Sequence, residues 1–230
     1  MSKKILRKKL INIRRNNFVD QTISFVSFKK ILKKYNLKKN INIGGYYPVN
    51  SEISCLDVLE ILEKNNFKDQ SITFTQFYKI LKKFNLKNNI NIGGYYPINS
   101  EIGCLEILEI LEKIDFKLSL PVTKKNNNMD FYEWSFKDAL QVSNRGIPEP
   151  IVRKKVFPDV LIVPLVGFDK NKFRLGYGGG FYDRYISKTL NIKRVITVGF
   201  AFSFQEILKI PTNEFDQKLD IILTNKGIVK

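Results

Sequence analysis

The chain has 230 residues, with 39 lysines and arginines, 22 acidic residues, no histidine and a formal net charge of +17. A hydrophobic fraction of 43% is enough for a packed core and excludes an intrinsically disordered chain. The lack of histidine excludes Ser-His-Asp and Cys-His catalysis and histidine metal sites. The charge fits either a nucleic-acid-binding protein or lysine-rich solvated helix faces that attract an anionic ligand. Its spread along the chain favours the second interpretation.

No targeting or membrane segment is predicted. The N-terminal stretch Met1–Arg15 is basic and lacks the continuous apolar centre of a secretory signal. The longest apolar runs, such as Val160–Val166, are far shorter than the ~20 residues needed to span a bilayer. We therefore expect a cytoplasmic protein without a membrane partner, as a monomer or weak dimer. Cys55 and Cys104 are expected to be buried thiols in a reducing compartment rather than a disulfide.

A tandem repeat occupies the N-terminal half. Residues 18–66 realign with residues 67–115 at an offset of 95 − 46 = 49, set by the first tyrosine of each Tyr-Tyr-Pro. Two copies are too few for a solenoid, so a duplication inside one domain is the simpler interpretation.

Each copy is predicted to form a helix, a strand and a second helix. In the first copy, Ser27–Tyr35 has helical spacing and Ile41–Tyr46 is a β-type run that Pro48 ends. Asn50 or Ser51 then provides an N-cap for the second helix. The second copy repeats this pattern up to Ile114.

Downstream, strands alternate with helices. A helix is predicted from Gly180 to Leu190, and Asp138–Pro150 is expected to be mostly irregular because glycine and proline interrupt it. The pattern predicts a single α/β domain over residues 1–230, with a mainly parallel sheet covered by helices on both faces. The predicted strands are Lys117–Val122, Met129–Trp134, Val160–Val163, Val195–Gly199 and Leu219–Leu223.

The stretch Arg174-Leu-Gly-Tyr-Gly-Gly-Gly-Phe-Tyr-Asp-Arg184 carries the chemistry. A buried strand leads to a loop with four glycines in five positions, whose backbone N–H groups can approach a phosphate closely. The helix that follows adds the positive end of its dipole, and Arg174 and Arg184 add fork-shaped donors. Asp183 beside an anion site suits an intervening Mg²⁺. The alternative is a glycine-rich turn with a solvent-exposed ion pair of Arg184.

This segment resembles the signature of the 5-formyltetrahydrofolate cyclo-ligase family, also called methenyltetrahydrofolate synthetases. The likeness extends over essentially the whole chain and is highly specific because the matches occur in order. The further matches are Lys3-x-x-x-Arg7, Tyr95-Tyr96-Pro97 with Glu101, Leu120-Pro121, Phe131 with Trp134, Gly146-Ile-Pro-Glu-Pro150, Gly199 to Gln205, Pro211, Asp216 and Thr224.

The resemblance implies a reaction. Family members use Mg-ATP to convert 5-formyltetrahydrofolate to 5,10-methenyltetrahydrofolate and release ADP and phosphate. The formyl oxygen is phosphorylated first, and N10 attacks the resulting iminium phosphate. Such chemistry needs mainly positioning and charge neutralisation, which a chain without histidine can supply.

The resemblance also implies site residues. Catalytic positions are Arg174, Tyr177, Gly179 and Phe181. ATP would contact Lys3, Arg7, Arg174, Leu175, Gly176, Tyr177, Gly178, Gly179, Gly180, Phe181 and Tyr182. The folate would contact Tyr96, Glu101, Trp134, Tyr177, Gly178, Gly179, Gly180 and Phe181. Magnesium would be held by Asp183 and Asp216. Without the resemblance, Trp134 is equally an ordinary core residue, and Glu101 a charge at a helix N-terminus.

The sequence departs from the family pattern in three ways. Phe181 replaces the usual tyrosine, and Phe215 precedes Asp216 where histidine is common. The third departure is the duplication, through which Glu52 offers a second copy of the folate-side carboxylate. We expect the second copy to be the working one and the first an insertion, although a hybrid of both copies is possible. A homologue that binds folate without turnover is a further alternative.

Overall fold

The computed structural model describes residues 2–19, 71–99, 101–151 and 154–229. Residues 1–15 and 71–230 form one compact unit, and residues 16–70 form another. Nearly all of the first repeat copy, including Cys55, Glu52 and the predicted insertion, lies outside the described residues.

Four α-helices occur in the described parts of the chain: α1 (Lys3–Val19), α2 (Phe74–Lys83), α3 (Leu105–Lys113) and α4 (Phe181–Leu190). Helix α2 begins at a capping box, in which the Thr73 side chain accepts from the Gln76 backbone and the Gln76 side chain accepts from the Thr73 backbone. No helix in the described ranges is long and apolar enough to cross a membrane.

Twelve strands are found in the same ranges. They are β1 (Asn91–Gly93), β2 (Lys117–Thr123), β3 (Met129–Trp134), β4 (Leu140–Val142), β5 (Pro148–Pro150), β6 (Lys155–Val156), β7 (Val160–Pro164), β8 (Gly167–Phe168), β9 (Arg174–Leu175), β10 (Ile196–Ala201), β11 (Ile221–Thr224) and β12 (Gly227–Ile228).

Eight of these described strands form one sheet in the order β12-β11-β10-β7-β1-β2-β3-β6. The five strands from β11 to β2 are mutually parallel, and the three outer strands are antiparallel to their neighbours. The registers Ile92↔Val160 and Val160↔Ile196 align the central strands. A mainly parallel sheet is therefore confirmed.

The strand order reverses between β1 and β7. From β1 the chain passes through α3 to β2 on one side, and from β7 it passes through α4 to β10 on the other. In open α/β sheets, ligands bind beyond the carboxyl ends of the strands at such a reversal.

Helices cover both faces of the sheet, as predicted. On one face, α2 and α3 place Phe77 and Leu108 against Ile92 and Val160 in the larger core cluster. On the other face, residues of α4 pack with Leu161 and other strand side chains of the opposite orientation. The continuous apolar run of β7 follows from this, because both faces of the strand are buried.

The second repeat copy contains the predicted helix, strand and helix as α2, β1 and α3, and α3 leads directly into β2. Cys104 lies between β1 and α3 as a buried free thiol that donates to the Tyr95 carbonyl at 3.1 Å. The expectation of a buried thiol is confirmed for this cysteine.

The prediction that Asp138–Pro150 is mostly irregular was wrong in part. Strands β4 and β5 form a two-stranded antiparallel unit in which Leu140 pairs with Pro150 and Val142 with Pro148. Proline is tolerated because this pair lies outside the main sheet, where a missing N–H need not interrupt a ladder on both sides.

We predict that Leu108→Ala destabilises the protein by about 2–5 kcal/mol, because Leu108 is fully buried in the core between α3 and the sheet. Ile110→Ala on the same helix is the control, since Ile110 is 39% exposed and its loss should cost less than ~0.5 kcal/mol. Urea denaturation of the two variants measures the difference, and equal losses would contradict this packing.

Candidate active site

A cavity of about 1200 Å³ opens at the carboxyl ends of the central parallel strands. Tyr95 and Tyr96 line it just beyond β1, Thr123 lines it at the end of β2, and Pro164 at the end of β7. Single-ligand pockets usually measure ~300–1,000 Å³. The volume is therefore large enough for two ligands side by side.

The structure brings nearly all the sequence-predicted site residues to this one cavity. Those that line it are Lys3, Arg7, Tyr96, Glu101, Arg174, Leu175, Gly176, Tyr177, Gly178, Gly179, Gly180, Phe181, Tyr182, Asp183 and Asp216.

Trp134 is the exception. It lies at the far end of β3, opposite Leu118 at the start of β2, whereas the cavity adjoins the other end, where Met129 faces Thr123. The indole is buried in the core cluster and packs against Phe136 at 4.6 Å between ring centroids. The antiparallel direction of β3 thus carries Trp134 away from the cavity that the other predicted site residues line, and its contact with folate stays a prediction.

Helix α1 reaches the cavity despite the duplicated segment that follows it in sequence. Lys3 Nζ forms an ion pair with the Asp216 carboxylate at 2.5 Å. Arg7 Nε donates to the Gly176 carbonyl at 2.8 Å. The apolar face of α1 is anchored by Leu10, which packs in a small cluster with residues flanking the glycine loop.

The glycine loop, residues 176–180, owes its shape to two left-handed residues. Gly178 has φ = 101° and Gly180 has φ = 66°, conformations that a side chain disfavours. A Cβ on Gly178 would also lie 3.2 Å from the guanidinium carbon of Arg7. Helix α4 starts from Gly180 without a side-chain cap, so its first N–H groups are left for an anion.

Arg174 and Asp183 form an ion pair next to this loop, in which the arginine side chain is 4% exposed and the aspartate side chain 26%. The Arg174 guanidinium donates to Asp183 Oδ1 at 2.8 Å and to the Gln217 carbonyl at 2.9 Å. Burial lowers the pKa of Arg174, and the Asp183 charge opposes this effect. Asp183 also accepts from the Gln217 N–H at 3.0 Å, which ties the loop carrying Asp216 to the start of α4. Arg174 thus holds a carboxylate at the cavity wall.

Arg184 behaves differently from Arg174. Its side chain is exposed and donates to the backbone carbonyls of Asn127 and Gly179. Arg145, in the turn between β4 and β5, donates to the Asn127 side chain at 3.1 Å. Both guanidiniums lie over the Phe181 ring, with carbon-to-centroid distances of 4.7 Å for Arg145 and 5.9 Å for Arg184. Sequence reasoning did not assign Arg145, because it gains its place through a turn predicted to be irregular.

Glu101 lines the same cavity. Its Oε2 atom accepts from the Ile98 N–H at 2.9 Å, and the side chain is 9% exposed. Burial raises the pKa of Glu101 to about 7, although the Ile98 N–H and the positive charge of Arg14 act in the opposite direction. Tyr96 lies nearby as a half-buried ring at the cavity wall.

Three lysines cluster around Asp130, and one of them, Lys188, lines the cavity. Lys124, Lys155 and Lys188 all form ion pairs with the nearly buried Asp130 of β3. Burial alone would raise the pKa of Asp130, but hydrogen bonds from Lys124 and Lys155 outweigh it and lower this pKa to about 2. Three ammonium groups around one carboxylate leave a net positive charge in this cluster, which adjoins the cavity through Lys188.

The raised pKa of Glu101 predicts a pH-dependent stability. The unfolded carboxyl titrates near 4.5 and the folded one near 7, so the native state binds more protons in between. Stability contributed by this group therefore falls as the pH rises from about 4.5 to about 7. We predict that Glu101→Gln becomes progressively more stable, relative to the unsubstituted protein, between pH 5 and pH 8. Urea unfolding across that range measures this difference.

The control is Glu109→Gln, which changes an exposed carboxylate on α3 that pairs with Lys113. Its effect on stability should vary little across the same pH range, because surface ion pairs contribute little. A Glu101→Gln effect that is constant with pH would contradict an unusual ionisation of Glu101.

Comparison with known proteins agrees with this geometry. The sequence model of the 5-formyltetrahydrofolate cyclo-ligase family matches residues 68–225. The 5-formyltetrahydrofolate cyclo-ligase of Haemophilus influenzae is 45% identical over 83 residues, covering 34% of this chain and 44% of that protein. The enzyme of the same name from Escherichia coli K12 is 37% identical over 102 residues, covering 42% of this chain and 56% of that protein. The matched segments thus span about half the length of these curated relatives.

Solved structures extend the similarity to the whole fold. The 5,10-methenyltetrahydrofolate synthetase of Aquifex aeolicus superposes with a TM-score of 0.61 at 25% identity, covering 99% of this chain and 92% of that one. The corresponding synthetase of Mycoplasma pneumoniae gives a TM-score of 0.57 at 21% identity, covering 96% and 98%, and supports the fold alone. With the family match spanning more than half of its residues, the chain belongs to the 5-formyltetrahydrofolate cyclo-ligase family.

Proposed function

We propose that this protein converts 5-formyltetrahydrofolate to 5,10-methenyltetrahydrofolate, using ATP with Mg²⁺ and releasing ADP and phosphate. One observation carries the proposal: a single large cavity joins a glycine loop suited to phosphates with a buried carboxylate suited to a pterin. Membership of the family supports the same reaction.

The triphosphate would lie along the glycine loop. Arg7 is already fixed there through Gly176, and its guanidinium lies beside Gly178. Lys3 stands at the same end of the cavity, paired with Asp216. Two cations and the uncapped N-terminus of α4 would offset the charge of the phosphates.

Asp183, with Asp216, would hold the magnesium ion. No cluster of three or more Cys, His, Asp or Glu side chains that could hold a metal occurs within the described ranges. The two carboxylates of Asp183 and Asp216 fit Mg²⁺ bound with ATP, because this ion commonly uses one or two carboxylates and completes its shell with phosphates and water. When bound, the ion would supply charge neutralisation to the phosphates. Arg174 would hold the Asp183 carboxylate in place.

The folate would occupy the wall formed by Glu101 and Tyr96. An ionised carboxylate can accept two hydrogen bonds from the donor edge of a pterin, and an aromatic ring can pack on its face. The glycine loop lines the same cavity as Glu101 and Tyr96, so the formyl group and the terminal phosphate would meet beside this loop. The contribution of the protein would then be positioning and electrostatic stabilisation, without a histidine base.

We predict that the purified protein forms the methenyl product, detected by its new absorbance, only when both ATP and Mg²⁺ are present. Asp183→Asn should lower the rate roughly 100-fold, comparable with loss of one electrostatic group in an active site. The control is Asp115→Asn, at an exposed residue outside the cavity. Folate binding without turnover would favour a homologue that has lost catalysis. Salt-dependent binding to nucleic acid without folate binding would favour a nucleic-acid-binding protein.

We also predict that Glu101→Ala loses most of the activity and Glu52→Ala little, because the second repeat copy supplies the carboxylate at the cavity. Glu52 is the equivalent position of the first copy and is the matched control. Steady-state rates with saturating ATP test the pair, and the reverse order would assign the folate wall to the first copy.

A further inference from the structure

Arg14 on α1 is an unusual residue for its position. With Leu6 and Leu10 it follows a spacing of four residues along one face of the helix, and all three side chains are buried. The first two are apolar, as expected for a helix packed on a domain. Arg14 is only 1% exposed, and no carboxylate of the described residues forms an ion pair with it. Burying a cation in an apolar stripe is costly, so a specific role should accompany it.

The contacts of Arg14 lead into the cavity. Its Nη2 donates to the Tyr177 hydroxyl, and its guanidinium carbon lies 5.5 Å from the centre of the Tyr177 ring. Its Nη1 donates to the Leu165 carbonyl, just beyond the end of β7, at 3.4 Å. Its Nε has no hydrogen-bond partner in the described part of the chain. The hydroxyl of Tyr177 is therefore fixed by Arg14, while the residue remains partly exposed and lines the cavity.

The charge of Arg14 also acts on Glu101. Arg14 donates to the Tyr177 hydroxyl, and that hydroxyl also interacts with the Glu101 carboxylate, so one phenol links the two charged groups. The other titratable groups that act electrostatically on this region are neutral side chains whose pKa values burial raises. They are Tyr95, Cys104 and Tyr182. Among the described residues, Arg14 is thus the cation whose charge acts on Glu101.

We propose that Arg14 is a positioning residue of the active site, holding Tyr177 in the glycine loop and placing a buried positive charge opposite Glu101. This inference rests on the proposed function for its kinetic part. Through Lys3, Arg7 and Arg14, the one helix α1 then supports both the phosphate side and the folate side of the cavity.

The decisive variant is Arg14→Met. Methionine is a long, apolar side chain that lacks the positive charge and the two guanidinium donors of arginine. We expect the KM for 5-formyltetrahydrofolate at pH 7 to rise about tenfold, a change within the interaction free energies found between neighbouring side chains. The KM for ATP should change less than about twofold. The midpoint of the pH profile of folate binding should move upward by about one unit, because the ionised carboxylate loses its facing cation.

Leu10→Ala is the control for a merely structural role. It weakens the packing of the same helix and should lower the melting temperature without moving the midpoint of the pH profile. If Arg14→Met lowers affinity and melting temperature but leaves that midpoint unchanged, the positioning role is overturned.

A second measurement needs no ligand. The stability difference between a protein and its Glu101→Gln variant, followed across pH, reports the ionisation of Glu101. On the Arg14→Met background this transition should lie about one pH unit higher than on the unsubstituted background. An unmoved transition contradicts the proposal even if the protein proves inactive, whereas absent turnover with a moved transition contradicts only the proposed function.

Arg14→Lys keeps the charge but not the paired donors, and it serves if Arg14→Met does not fold. It should keep the pH midpoint while raising the folate KM about threefold, because Tyr177 is held less firmly. A shifted midpoint in this variant, or a folate KM equal to that of the unsubstituted protein, would count against the role proposed for the guanidinium.

Discussion

The attachment of α1 to the glycine loop is the constraint on which the site depends. The loop contains four glycines, and two of them have left-handed backbone conformations. Its backbone therefore has little intrinsic preference for one shape. Arg7 fixes the Gly176 carbonyl, Arg14 fixes the side chain of Tyr177, and Lys3 fixes the adjoining loop through Asp216. The order of this glycine-rich loop is thus supplied by charged side chains from a helix at the other end of the sequence.

Much of the fold follows from local pattern. The strands of the parallel sheet are predicted because burial on both faces makes them continuous apolar runs, as in β7. The glycine loop is predicted because its composition permits little else than a turn between a strand and a helix. The β4–β5 pair was missed, since prolines argue against strands unless the pair is known to lie outside the main ladder.

The residues at the cavity also divide into those that the sequence predicted and those that it did not. Glu101 and Asp183 stand in recognisable motifs, and the structure places both at the cavity. Trp134 lies away from the cavity, because a motif gives the order of residues along the chain but not the direction in which an antiparallel strand carries them. Arg14 was not predicted, because an arginine among many lysines and arginines on a basic helix has no sequence feature that indicates burial. Only its packing distinguishes it.

The position of Arg145 has a consequence for how the binding cleft is built. Its turn belongs to the small β4–β5 unit, outside the eight-stranded sheet, yet its guanidinium lies over Phe181 and lines the cavity. The unit also contacts the main sheet, because Glu149 of β5 accepts a hydrogen bond from the Thr123 N–H at the end of β2. A change in the turn that carries Arg145 would therefore alter one wall of the cavity, whereas a change in β5 itself would also reach the end of β2.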